Sequence, residues 1–280
     1  MRLTIEDLCY RYRQTAPSAR LALDHVSLEI ADGEFVAIVG PAGSGKTTLI
    51  QHFTGLLRPT AGRVLVDGKE LPAHGPELTI LRRRIGLVFQ FPELQLFEET
   101  VLADVAFGPR TLGTAGQDLT ERVNWALRAV GLDPATVAHR CPHHLSEGEK
   151  RRVAIAGVIA MNPEMLVLDE PTAGLDPAGV RRIAEILRTL HQTGKTIVLV
   201  SHNIDLVYTL SQRVILLAAG KLLFDGPKEE LLEQEALLSR HGLALPRLVR
   251  VLRQSPPPPP LRARRLFSLE EVERLLQCAT

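Results

Sequence analysis

Gly40-Pro41-Ala42-Gly43-Ser44-Gly45-Lys46-Thr47 reads as glycine, four residues, then glycine-lysine-threonine, without a gap. Glycines at these positions let the backbone curl until several N–H groups face one point, and a helix beginning there adds the positive end of its dipole. In such a loop the lysine reaches the β- and γ-phosphates of a nucleoside triphosphate and the threonine hydroxyl meets Mg²⁺. The predicted ligand is therefore ATP with Mg²⁺, gripped from Gly40 through Thr47 and Thr48. A chance glycine turn is the bland alternative. The buried strand Glu34 to Val39 before the loop and the helix from Lys46 after it count against that alternative.

A second signal is Met165-Leu166-Val167-Leu168-Asp169-Glu170. Four apolar residues bury a strand and two carboxylates follow at its C-terminal end, the edge where ligands of open parallel sheets sit. Asp169 is placed to hold Mg²⁺, directly or through water, and Glu170 is the candidate general base for an attacking water. Alone, the pair could merely cap the next helix. Gln90 follows the apolar run Leu87-Val88-Phe89, His202 follows Val198-Leu199-Val200-Ser201, and Asp176 lies just past Glu170. Each is unremarkable singly, but together, at the same edge of one sheet, they point to one site. Ser146 and Gly148 stand in Leu145-Ser146-Glu147-Gly148-Glu149, ahead of Lys150-Arg151-Arg152. A serine and glycine there could be only an N-cap.

The elements that must position these residues alternate. Leu3 to Leu8 and Val26 to Ile30 have the period of half-buried strands, separated by a polar piece, Gln14 to Arg20. Gly55 ends the helix from Lys46, and Val64-Leu65-Val66 with Asp67-Gly68 reads as a hairpin. Ile85 to Phe89, Met165 to Leu168 and Thr196 to Val200 are short apolar runs typical of strands buried on both faces. From Pro92 to Met161 the chain is mostly helical, including a helix Leu119 to Val130 opened by a capping box of Asp118 and Glu121. Pro177 to His191 is amphipathic. Strands alternating with helices predict an α/β chain with a parallel sheet covered on both faces. After Leu217, turns at Gly220-Lys221 and Asp225-Gly226 bracket a last strand pair, and Leu231 to Arg240 is helical. Pro256 to Pro260 is a stiff spacer. Ser268 and Glu271 then form a capping box for a terminal helix, Leu269 to Gln277.

Composition excludes several classes. With 33 basic against 32 acidic residues the net charge is +1, too even to draw the chain onto nucleic acid. Arg82-Arg83-Arg84 and Lys150-Arg151-Arg152 read as solvated helix faces or capped ends. Cys9, Cys141 and Cys278 are odd in number and far apart, which favours free thiols in a reducing compartment. Cys141-Pro142-His143-His144 lacks a second ligand cluster at zinc-like spacing. No apolar leader starts the chain, and no run approaches the roughly 20 residues that span a bilayer. Any membrane spans must come from another chain.

Taken in order, the loop at Gly40, the glutamine at Gln90, the segment at Leu145, the Asp169-Glu170 pair, the Asp176 loop and His202 resemble the ATP-binding subunits of the ATP-binding cassette superfamily over residues 1 to about 225. The segment at Leu145 departs from the commonest signature, Leu-Ser-Gly-Gly-Gln, at Glu147 and Glu149. Glu147 would lie near a triphosphate, where it either repels the phosphates or points to solvent. Phe89 to Val101, Asp104 to Pro109 and Arg151 to Gly157 are similar to the A subunits of energy-coupling factor transporters. Phe91 and the insertion before Leu23 are similar to the second of their two paralogues.

The resemblance implies a P-loop NTPase core with a mainly parallel sheet, an N-terminal antiparallel β-subdomain and an inserted α-helical subdomain at about 92–161. Residues 1–225 would form the ATP-binding domain and 226–280 a helical C-terminal extension with a proline-rich linker at 256–260. It implies an ATP hydrolase in which Tyr12 stacks on adenine, Gln90 joins Thr47 and Asp169 around Mg²⁺, His202 senses the γ-phosphate, and Asp176 lies in the dimer loop. Ser146 and Gly148 would close over the ATP of a second A subunit facing this one head to tail. The implied partners are that subunit, a transmembrane T component received by a groove at Gln90 to Thr100, and an S component that binds a vitamin or metal. The chain would be peripheral on the cytoplasmic side of the cell membrane. The competing readings are a cassette ATPase of repair or translation and a nucleotide-binding regulator without turnover.

Overall fold

Ten strands and eleven α-helices occur among residues 1–12 and 21–254, the residues described by the computed structural model. The polar piece Gln14 to Arg20, the proline run and the terminal helix predicted at 269–277 lie outside them. The strands are β1 Leu3–Tyr10, β2 Leu23–Ile30, β3 Phe35–Val39, β4 Ala61–Val66, β5 Lys69–Glu70, β6 Ile85–Val88, β7 Met165–Asp169, β8 Thr196–Val200, β9 Arg213–Ala218 and β10 Lys221–Pro227. The helices are α1 Lys46–Phe53, α2 Pro76–Arg84, α3 Val101–Thr111, α4 Gly116–Ala129, α5 Pro134–Val137, α6 Glu147–Ile159, α7 Pro177–Gln192, α8 Ile204–Leu210, α9 Lys228–Glu233, α10 Glu235–Arg240 and α11 Arg247–Gln254.

The strands form two sheets. A six-stranded sheet runs β10-β9-β3-β8-β7-β6, with every pairing parallel except the terminal hairpin β9-β10. A four-stranded sheet runs β2-β1-β4-β5 and is antiparallel throughout. The continuous apolar runs are explained by what each face meets. Met165, Val167, Val198 and Val200 point into the core between the sheets, which also holds Leu49, Ile50 and Phe53 of α1. Leu166, Leu168, Ile197 and Leu199 point the other way, into a core shared with α3, α4, α6 and α7. Ala37, Val39, Val214 and Leu216 pack under α8 and the C-terminal helices. A strand whose alternate residues feed two different cores has no polar face to show.

Several local expectations change. The helix predicted at Leu119 to Val130 starts earlier, at Gly116, and its N-cap Ala115 makes no side-chain bond. Asp118 therefore sits inside the first turn, where its charge complements the helix dipole, and Glu121 accepts a bond from Gln117 at 2.8 Å. Asp225-Gly226 is not a turn but part of β10, because Arg213 of β9 donates to both oxygens of Asp225. The turn of that hairpin is Ala219-Gly220, both at positive φ. The helix predicted at Leu231 to Arg240 is broken into α9 and α10 at Gln234. Between 92 and 161 the chain contributes helices and no strand, as the pattern predicts. No helix among the described residues is long and apolar enough to cross a membrane.

Candidate functional site

β3, β8, β7 and β6 are consecutive in the sheet and all parallel, so their C-terminal ends open on one edge. The loop leaves β3 at Gly40. A Cβ on Gly40 would stand 2.0 Å from the Leu217 carbonyl oxygen, and one on Gly45 2.5 Å from that of Ala22. Both glycines also have positive φ, so the close approach and the backbone curl demand the same residue type. Gly45 caps α1 without any side-chain bond, so no side chain competes with an anion for the first amides of that helix.

Lys46 folds back over this loop. Its Nζ donates to the carbonyls of Gly40 at 2.8 Å and Pro41 at 2.9 Å, and to Ser44 Oγ at 3.4 Å. Burial pushes its pKa down, opposed by the charges of Glu170 and Asp169. An ammonium held by carbonyls beside uncapped amides is the donor set a phosphate chain requires. Thr48 is buried in α1. Its hydroxyl lies 3.0 Å from that of Tyr12, whose ring is 45% exposed and meets Tyr10 edge-on. Tyr12 thus lies past the end of β1 with a free face, not in the core.

Thr47 Oγ1 donates to Asp169 Oδ2 at 2.7 Å, although the two are far apart in sequence. Asp169 is only 3% exposed, and burial raises its pKa despite the Thr47 bond. A hydroxyl and a carboxylate in contact form the hard oxygen set that suits Mg²⁺, so the residues present fit that ion. Glu170 is buried with φ 49°, a left-handed conformation that a non-glycine residue adopts at a cost of order 1–3 kcal/mol. Its backbone N–H donates to the Val200 carbonyl at 2.9 Å. Its Oε1 accepts from the His202 backbone N–H at 2.9 Å and lies 2.9 Å from His202 Nδ1, and Ser201 Oγ donates to Oε2 at 3.3 Å. The candidate base and the candidate sensor therefore touch directly. Gln90 stands exposed at the end of β6, just before the chain turns at Phe91 with φ 54°.

The structure does not bring every predicted residue to this edge. Ser146 caps α6 and is exposed, with Gly148 in the first turn. Neither makes a hydrogen bond to the phosphate loop or the acidic pair among the described residues. Ser146 instead forms a reciprocal box with Glu149, donating from N and Oγ to Oε2 at 2.9 and 2.8 Å. Those two bonds hold the Glu149 carboxyl below its usual range. Glu147 points outward, 67% exposed, and pairs with Lys150 at 2.9 Å. Asp176 caps α7, accepting from the Gly179 N–H at 2.7 Å.

One expectation is overturned here. Arg151 is not on a solvated face but 2% exposed. Its Nη2 and Nε donate to Glu93 at 2.6 and 3.0 Å, and its Nη1 donates to the carbonyls of Pro171 and Ala173, just past Glu170. Burial would raise the Glu93 pKa, but the paired guanidinium outweighs it and the net direction is down. The sequence carried a signal for this. Arg151, Ile155 and Ile159 recur at i+4 and share the buried face of α6, so a charge there needs a buried partner. Glu93, between Pro92 and Leu94, is that partner.

Comparison with known proteins settles the lineage. Residues 23–173, more than half of the chain, match the family described as ABC transporter. The energy-coupling factor transporter ATP-binding protein EcfA2 of Clostridium perfringens is 45% identical over 91% of this chain and 90% of its own length. The chain belongs to the ABC transporter family, in its group of energy-coupling factor ATP-binding proteins. Among solved structures, CbiO1 of Clostridium perfringens, described as part of the ABC transporter complex CbiONQ, matches with TM-score 0.76. It is 37% identical, over 90% of this chain and 98% of that one. A dimeric ATP-binding cassette in a post-hydrolysis state bound to ADP and Pi matches with TM-score 0.72 and 32% identity, over 80% of this chain and 98% of that one. The two-sheet α/β architecture is thus that of the ABC ATPases, and the chain is an ATP hydrolase of the energy-coupling factor class.

Proposed function

We propose that this chain drives an energy-coupling factor transporter as one half of a two-cassette clamp, with each ATP held between two subunits. The observation that carries the reading is the separation, within one chain, of two phosphate-competent surfaces. The loop and carboxylates lie at the sheet edge, whereas Ser146 and Gly148 are presented on α6. A second ATP-binding subunit, turned head to tail, supplies Ser146 and Gly148 equivalents to this loop and receives them in return. The dimeric cassette structure that this fold resembles supports that arrangement. In this reading residues 1–225 form the cassette, with 92–161 as its helical insert, and 226–280 form an appended extension.

Lys46 exchanges the carbonyls of Gly40 and Pro41 for the β- and γ-phosphates, and the amides of Gly43 to Thr48 complete the cradle. Tyr12 offers its free face to adenine. Thr47, Asp169 and Gln90 hold Mg²⁺, which when bound supplies positive charge against the triphosphate. Glu170 orients the attacking water and takes its proton, while His202 keeps the carboxylate aimed and meets the γ-phosphate. Asp176 lies at the dimer seam. Hydrolysis removes the group that both subunits grip, so the halves part.

Movement then needs a membrane partner. Leu94, Phe97, Phe91 and Phe107 are exposed around the segment after Gln90, with Phe97 and Phe107 in edge contact at 5.0 Å. Such an apolar patch suits an amphipathic helix, here a cytoplasmic helix of the T component, with an S component choosing the vitamin or metal. The chain then sits peripherally on the cytoplasmic face. The deciding experiment is ATP-dependent uptake by the complex reconstituted in vesicles with wild-type or Glu170→Gln chain. Loss of uptake and turnover by about 100-fold or more with ATP binding kept is expected. Steady turnover in the variant would remove Glu170 from the reaction, and recovery of the chain without any integral membrane protein would remove the transporter.

A further inference from the structure

The antiparallel pair β1-β2 carries two irregularities that ordinary sheet geometry does not need. The register passes from Leu8↔Val26 to Tyr10↔Leu23, which sets Asp24 and His25 of β2 opposite Cys9 alone. It also passes from Ile5↔Leu28 to Leu8↔Val26, which sets Glu6 and Asp7 opposite Ser27 alone. Two residues against one is a β-bulge, a device that re-aims side chains. Asp7 and His25 both have φ 52°, a left-handed conformation off glycine. The result is a convergence. Cys9 Sγ, one carboxylate oxygen of Asp24 and one ring nitrogen of His25 all lie within 4.8 Å of one another.

The surroundings are ordered as a ligand set requires. Asp7 Oδ1 is 2.7 Å from His25 Nδ1, which fixes the ring and leaves Nε2 as the inward nitrogen, 3.9 Å from Asp24 Oδ1. A carboxylate holding the far nitrogen of a histidine is the usual support of a metal-bound imidazole. The His25 backbone N–H donates to Cys9 Sγ at 3.3 Å, and the sulfur itself is buried. Lys221 Nζ pairs with the other Asp24 oxygen, Oδ2, at 3.1 Å, so Oδ1 stays available. Asp24 and His25 border solvent, which leaves room for a water as fourth ligand.

We propose that Cys9, Asp24 and His25 form a site for one zinc-class divalent ion, with Asp7 as the residue that orients His25. Sulfur, imidazole and carboxylate together select a borderline-soft transition ion rather than Mg²⁺. The site is independent of the phosphate loop's own ligands. It is nonetheless adjacent to that loop, because the carbonyl of Ala22, two residues before Asp24, lies against Gly45. An ion there would clamp β1 to β2 where both reach the nucleotide edge.

The test titrates the full chain, free of nucleotide and in excess Mg²⁺, with Co²⁺ as a spectroscopic probe and Zn²⁺ as competitor. One Co²⁺ per chain with thiolate-to-cobalt charge-transfer absorption is expected, displaced by Zn²⁺. Cys9→Ser should abolish the band. His25→Ala, at an exposed position that does not threaten the core, and Asp7→Asn should each weaken binding about ten- to a hundredfold. A Cys141→Ser, Cys278→Ser double variant should bind as wild type. Absence of the band from the wild type, its persistence in Cys9→Ser, or unchanged affinity in His25→Ala would each overturn the site.

Discussion

At the scale of single residues, the candidate nucleotide edge keeps charges where burial disfavours them. Asp169 is buried with its pKa raised by desolvation, opposed only partly by the Thr47 hydroxyl. The sign follows directly. A carboxylate whose folded pKa is raised above its ordinary 3.8 costs stability as pH rises above that ordinary value, and the cost levels off once pH passes the folded value. Asp169→Asn keeps an oxygen to accept from Thr47 but removes the charge. It should stabilise the nucleotide-free chain by about 1 kcal/mol, seen as a melting point raised by about 2 °C, while Mg²⁺-dependent turnover is lost. A lower melting point would show that the charged form stabilises the fold. Lys46→Ala removes a charge-assisted phosphate contact worth about 1.5–3 kcal/mol. ATP affinity measured by calorimetry should fall roughly ten- to a hundredfold, and unchanged affinity would count against the loop as the phosphate site.

At the scale of elements, one guanidinium ties three segments together. Arg151 of α6 holds Glu93 after the Gln90 turn and the carbonyls of Pro171 and Ala173 after Glu170. α6 therefore cannot rotate without disturbing both the exposed apolar patch and the backbone behind the candidate base. Glu93→Gln leaves Arg151 buried without a counter-charge and should cost about 3 kcal/mol, measured by denaturant unfolding. Glu93 has a depressed pKa, so its contribution is present above the ordinary 4.5 and fades as pH falls through the folded value. Wild-type stability should drop in that acid window, and the Glu93→Gln variant should lack this component. An equal drop in both would separate Glu93 from acid sensitivity. The basic triplet at 150–152 shows how much was legible here. Its sequence reads as surface charge, and only the i+4 spacing to Ile155 and Ile159 marks the middle arginine as interior.

At the scale of the whole molecule, the proposed clamp would make the phosphate loop a half-site, and the chain also exposes an apolar patch. Phe97 is 62% exposed and in contact with Phe107. Phe97→Asp puts a charge into the surface assigned to the T component. It should weaken co-purification with that component more than tenfold, as loss of an aromatic anchor does, and leave ATP binding by the isolated chain intact. Unchanged assembly would place the membrane contact elsewhere. The Glu147 carboxylate is turned outward and matched by Lys150.

The ATP-hydrolase class of this protein was readable without coordinates because the pattern that carries it is local. A loop that curls around phosphates needs glycines at fixed spacing, and an apolar strand ending in two carboxylates announces its own edge. Periodicity likewise exposed β3, β7 and β8, since strands feeding two cores have no polar face. What only the tertiary structure decided are the meetings of residues distant in sequence. Thr47 with Asp169, Glu170 with His202, Arg151 with Glu93, and Cys9 with Asp24 and His25 all depend on strand order, register and bulges. Residue pattern reports which face of an element is buried. It does not report which other element lies against that face, and each of these contacts is set by that second fact.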